Sequence, residues 1–373
     1  MKLRLFISFV LLALIGVFSF HSDKTASARE PVRKFTRPLM LESMARECVV
    51  PGVKELADAA TVLSAATQEL LEAPSTNALG EAQRAWVELQ HCYKRNQVLG
   101  HGPIKDSTFW TSMFYHQALP AALENVIRSQ RPIDTDFVEV LGSSARGFYA
   151  LEYLLFDLPQ GPAGLIGKTN GTPRLSGKLL MEGTTAERRR VYVRALAADL
   201  ERRLREANLE AASAEFPKRF ASGVQENVDL VVNQVIDGIE SGVILPLNNC
   251  ALQHQTGSLR YDAILGMASG TSVSSLQAVI EGVERYYSGR AGMGIDDYIQ
   301  HVNPDLARRI DAAFKNVQAH FRTLGTSLDQ TFLMEPAKVE QAIAKARELE
   351  ILLKVDAVSA LGVTITFSAN DGD

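Results

Sequence analysis

Residues 147–156 read Gly-Phe-Tyr-Ala-Leu-Glu-Tyr-Leu-Leu-Phe, and Glu152 is the one carboxylate among them. A helix apolar on all sides is expected to be buried on all sides. A carboxylate in such a place is costly unless it is paired, hydrogen-bonded or bound to a metal. Tyr149 lies three residues earlier, so both side chains project from one face. Phenolate and carboxylate are hard oxygen ligands, and together they could hold ferric iron. A glutamate in a cleft could also serve as a metal ligand or general base in peptide hydrolysis. Two plainer readings stand beside these. Glu152 could pair with a buried arginine such as Arg146 or Arg84, or Tyr149 could simply hydrogen-bond Glu152 in a pocket without metal. Gly147, expected mid-helix, costs about 1 kcal/mol relative to Ala there, which points to something packed close against it.

Other patterns carry less. Gly167-Lys168-Thr169 resembles the end of a phosphate loop, but Pro162 stands where that loop requires glycine. Gly289, Gly292 and Gly294 read as a turn between helices. Arg188, Arg189 and Arg190 read as a solvated helix face. The histidines (His21, His91, His101, His116, His254, His301, His320) form no helical zinc-protease pair. His101, His116 and Asp106 remain as candidate partners for a metal on Glu152. No Gly-x-Ser-x-Gly elbow is present.

The elements that must position these residues read as helices. A 3.6-residue apolar period covers Glu55–Leu71, with Pro51-Gly52 expected to bend or break the helix before it. Further helices are expected over 79–99, over 107–128 with a kink at Pro120, and over 136–157. After a Gly/Pro-rich stretch, helices resume at Thr184-Thr185-Ala186-Glu187, a sequence resembling a capping box. They cover about 185–211, 216–245, 258–288, 296–325 and 335–354. Two sets of about four helices predict two helical bundles.

Composition agrees. The 373 residues are 46% hydrophobic, 22% charged and 7% aromatic, which excludes a disordered chain and favours helix over sheet. A net charge of −4 argues against a nucleic-acid partner. Lys2 and Arg4, the apolar run Leu5–Phe20 and Ala26-Ser27-Ala28 together predict a secretory signal peptide cleaved after Ala28. Its removal leaves 36 basic and 42 acidic residues, net −6. No second long apolar run is read, so the mature chain is expected to carry no transmembrane span. Cys48, Cys92 and Cys250 allow one disulfide or three buried thiols.

The segment "GFYALEYLLF" resembles the signature of the imelysin-like proteins, Gly-x-His-x-x-Glu. Other stretches are similar in order: Ala85-Trp86 through Gly102-Pro103, Phe109-Trp110 with Leu123-Glu124, "SSLQAVIEGVERYYSG" from Ser274, and the closing "LGVTITFSANDGD" from Leu361. The resemblance implies an all-α protein of two helical-bundle domains related by a pseudo-two-fold, exported to the periplasm or outer membrane. It also implies a site at the domain interface around the signature, and either metallopeptidase activity or a role in iron regulation or uptake. This chain departs from the pattern. The signature His is Tyr149, an acidic position near the end of the Trp-rich helix is Gln97, and a late Asp–Asn pair is Ser275 and Val279. These replacements remove most zinc ligands.

The organisation expected is a signal peptide over 1–28, an N-terminal bundle over 29–160, a linker over 161–183 and a C-terminal bundle over 184–373. The pocket is expected at Gly147, Tyr149, Glu152, Gln97, Trp86 and Ser272, with Tyr149 and Glu152 as the metal ligands if iron or zinc is bound at all. The function expected is a periplasmic, non-enzymatic ligand- or metal-binding protein linked to iron acquisition, with a small ligand or metal and a membrane-associated uptake protein as partners. A metallopeptidase using Glu152 and an interaction protein with a vestigial site are the alternatives.

Overall fold

The structure is a computed structural model, and it describes residues 35–98, 113–114, 118–156, 177–255, 266 and 268–365. The expected signal peptide, most of the Gly/Pro-rich linker, His101, Asp106 and His116 lie outside these residues. The chain from Phe35 onward forms one compact unit. Among the described residues the regular structure is entirely helical.

The first three helices are α1 (Arg37–Met44), α2 (Val50–Glu72) and α3 (Thr76–Arg95). Pro51 does not break the chain into separate helices. A π-helical turn over Ala45–Val49 joins α1 to α2 without interruption. Proline lacks an N–H and crowds the carbonyl four residues back, and a wider turn just before it relieves both defects. Ser75 caps α3, its Oγ accepting from the Ala78 N–H at 3.1 Å.

Pro120 opens a helix, α4 (Pro120–Arg128), rather than kinking one, because Leu119 before it is extended. The long helix expected over 136–157 is three pieces: α5 (Thr135–Glu139), a 3₁₀ turn over Ser143–Ala145, and α6 (Phe148–Leu155). Gly147 is therefore not mid-helix. It is the residue before α6, at φ 80°, a conformation L side chains rarely adopt.

A short α7 (Lys178–Met181) precedes α8 (Ala186–Ala211), which packs along α2 and across α6. The expected capping box is not formed, since the Thr185 hydroxyl meets Arg189 Nε instead of the helix backbone. The arginine run is no solvated face either. Arg189 is buried and makes two bonds to Glu124, at 2.7 and 2.8 Å. Arg188 donates to the carbonyls of Val126, Ile127 and Arg131 at the end of α4, and Arg190 to that of Leu180.

Next come α9 (Phe216–Ser222), α10 (Val224–Ile239) and α11 (Leu245–Gln255), the last two joined by a π-turn over Glu240–Ile244. By length and composition the stretch 224–252 could cross a membrane; in this fold its residues Val228, Val231, Val235 and Ile239 are core. α12 (Ser272–Ser288) packs on α3, and the expected glycine turn leads to α13 (Ile295–Val302). α14 (Pro304–Phe321), α15 (Leu328–Met334), α16 (Pro336–Ile351), a third π-turn over Leu352–Ala357 and α17 (Val358–Leu361) complete the described chain. The three cysteines are free and buried.

Candidate functional site

Three elements meet at Glu152: α6, which carries it, the last two turns of α3, and the residues 268–272 that enter α12. Trp86 orients α6. Its indole stacks on Phe148 at 4.5 Å, nearly parallel, and its Nε1–H donates to the Phe148 carbonyl at 3.1 Å. Gln83, one turn earlier, donates to the Leu155 carbonyl at 2.8 Å. Both ends of α6 are thus tied to α3. Trp86 is fully buried and supports the site from behind.

Among the described residues no arginine pairs with Glu152. Arg146 donates to the Glu139 carbonyl and Arg84 pairs with Glu81. Glu152 Oε1 instead accepts from the Ser269 hydroxyl at 2.7 Å and the Ser269 N–H at 3.3 Å. The Ser269 hydroxyl meets that of Thr271 at 2.9 Å, and Thr271 donates on to Gln90 Oε1 of α3. The loop owes its shape to Gly266 and Gly270, both at positive φ; a Cβ on Gly266 would meet Thr271 Oγ1 at 2.6 Å.

Among the described residues the nearby cation is Lys94, one turn beyond Gln90 on α3 and itself buried. It donates to Gln97 Oε1 at 3.2 Å and lies over the Tyr93 ring at 5.1 Å. Burial pushes Glu152 up to about 7, against the downward pull of Ser269 and Lys94. Burial lowers Lys94 to about 8, against the charge of Glu152. The Tyr149 phenol is held well above its ordinary value by burial first, then by Tyr93 and Glu152.

Tyr149, Glu152 and Gln97 are thus brought around one polar cluster, and Gly147 is the residue from which α6 starts. Ser272 is adjacent in sequence to Thr271, but its Oγ accepts from the Leu328 N–H at 3.1 Å. Ser275 and Val279 are buried in α12, where Ser275 donates to the Thr271 carbonyl at 2.7 Å and Val279 packs on Gly242. Tyr149 does not hydrogen-bond Glu152: its hydroxyl has no partner among the described residues, and neither has Gln90 Nε2. Lys94, Gln90, Ser269 and Thr271 escaped the sequence reading. One signal was present: Ala82, Trp86, Gln90 and Lys94 recur every four residues, along the buried stripe of α3.

Among the described residues no three His, Cys, Asp or Glu side chains converge. Among the described residues, one carboxylate already bonded to Ser269, a phenol held protonated and a neighbouring ammonium do not by themselves make a zinc or ferric ligand set; His101, His116 and Asp106 lie outside those residues.

The imelysin family model matches residues 49–355. No curated protein sequence matches the chain. Its fold is similar to a crystal structure from Parabacteroides distasonis ATCC 8503, assigned as an iron-regulated protein A precursor. That match has a TM-score of 0.69 and 13% identity over 90% of this chain and 97% of the other. It is likewise similar to an imelysin-like protein from Psychrobacter arcticum 273-4, with a TM-score of 0.68 and 14% identity over 89% and 97%. With the family model spanning most of its length, the chain belongs to the imelysin family.

Proposed function

We propose that the protein is an exported, non-enzymatic binding protein of the imelysin family that takes a small ligand at the Glu152 cluster in the service of iron acquisition. The observation that carries the reading is the pair of buried, unpartnered polar atoms, Tyr149 Oη and Gln90 Nε2, beside a buried carboxylate and a buried ammonium. An unmet buried donor costs about 1–3 kcal/mol, a cost that an occupant with matching acceptors removes. Export rests on the signal-like residues 1–28. The iron link rests on the family and on the naming of the Parabacteroides neighbour as iron-regulated.

One observation favours a second reading, a metallopeptidase. A glutamate brought to about 7 is matched to general-base work at neutral pH. Metal analysis of the purified mature protein together with a peptide-cleavage assay separates the two. The binding reading expects no cleavage, whether or not a metal is held at Glu152. Zinc at one equivalent, lost with cleavage in Glu152→Ala, would overturn it.

A further inference from the structure

The chemical class of the ligand can be read from the balance of donors and acceptors around Glu152, on the premise that the cluster is a binding site at all. The side-chain acceptors of the cluster are engaged except Glu152 Oε2, which has no bond among the described residues. Glu152 Oε1 takes two bonds from Ser269, Gln90 Oε1 takes one from Thr271, and Gln97 Oε1 takes one from Lys94. The donors are in surplus. Gln90 Nε2 and Tyr149 Oη have no partner, and Lys94 Nζ, with three protons, has one hydrogen bond. These side chains are 0%, 4% and 7% exposed. Gln90 and Lys94 are one turn apart on the same side of α3. Ser269, which donates to Glu152, and Thr271, which donates to Gln90, lie with their hydroxyls 2.9 Å apart and so bring Gln90 and Glu152 to one place, and Tyr149 stands one turn before Glu152 on α6.

A bare cation would leave all three donors unmet and add its charge to that of Lys94. An apolar ligand would leave the donors buried and unpaired. A group with several acceptor oxygens and a negative charge meets the surplus, and bonds from a charged donor to such a group are the strong ones. We propose that the cluster binds the carboxylate or other small oxyanion group of a ligand, with Lys94 Nζ, Gln90 Nε2 and Tyr149 Oη as its donors. Glu152 opposes such a ligand by charge, with its Oε1 occupied by the two bonds from Ser269. Removing its charge therefore improves binding, the opposite of what a metal site requires.

The test is titration calorimetry on the mature protein with acetate, citrate and inorganic phosphate, and separately with zinc and iron(II). One oxyanion is expected to saturate a single site. Lys94→Met and the isosteric Tyr149→Phe each weaken it about tenfold or more, a loss of about 1.4 kcal/mol, while Glu152→Gln binds as tightly or more tightly. Melting curves establish that each variant is folded, and Tyr149→Phe alone suffices if Lys94→Met is not. Failure of all three oxyanions to bind overturns the inference, as does binding indifferent to both donor variants. If zinc or iron(II) alone binds and Glu152→Gln abolishes it, the oxyanion inference falls and the binding-protein reading stands. If no probe binds, both fall.

Discussion

Charging Glu152 in the folded chain means ionising a group that burial has removed from water, and its pKa rises from 4.5 to about 7. Below about pH 4.5 the carboxyl holds its proton in the folded and unfolded chain alike. As pH rises towards 7 the unfolded chain releases that proton while the folded chain keeps it, so this contribution to stability is lost across that window. Lys94 acts in the opposite sense: with its pKa lowered from 10.5 to about 8, the unfolded chain takes up a proton that the folded chain does not as pH falls across that window, and stability is lost there. Replacing Glu152 by Gln removes the first penalty. Urea denaturation is expected to give Glu152→Gln and the parent similar stabilities at pH 4.5. At pH 8.5 the variant gains up to about 3 kcal/mol, taking about 1.4 per pKa unit. Equal stabilities at both pH values would refute this account of Glu152. Tyr149 and Glu152 were legible beforehand because one carboxylate in an apolar helix stands out. Their partners were not, since Ser269 is 117 residues from Glu152 and Thr271 is 181 from Gln90. No local pattern links hydroxyls across such distances.

Helices as a class were plain from apolar periodicity, and α2, α3 and α8 fall close to the expected ranges. Their ends were less plain, because backbone conformation at single residues decides them. Gly147 at positive φ cuts the expected helix over 136–157, and an extended Leu119 makes Pro120 a beginning. Close approach of α12 to α3 was also hidden. A Cβ on Gly282 would lie 1.9 Å from the Arg95 carbonyl oxygen, at the end of α3 that carries Lys94. Gly282→Ala is expected to cost about 3 kcal/mol or more by overpacking, and to shift that end of α3. Gly80, inside α3, is the contrasting case. Its Cβ would meet only the flexible Arg84 guanidinium, at 3.4 Å. Gly80→Ala is expected to stabilise by about 1 kcal/mol. Thermal melts of the two variants should move in opposite directions.

At the scale of the molecule, helices distant in sequence are fastened to one another by polar contacts as well as by the continuous apolar core. Arg189 of α8 clamps Glu124 of α4, and Tyr153 of α6 donates to the same carboxylate at 2.9 Å. Neutralising one side leaves a buried guanidinium without its counter-charge. Glu124→Gln is expected to cost about 3 kcal/mol in urea denaturation, and Tyr153→Phe about 1. Equal losses from the two would mean that the charge adds nothing. The three π-turns bear on something different, the tolerance of the chain to changes in length. Each holds one residue more than an α-helical path of the same phase. Pro51 and Pro246 stand two places after the first and second turns and hold those wider turns in place. No proline follows Leu352–Ala357 in this way. One residue removed there lets the helix close to regular α geometry, with both flanking faces still turned to the same neighbours. The same deletion inside α16 would rotate everything beyond it by about 100°. The end of the described chain therefore has a length slack of one residue, which the two proline-held turns do not share.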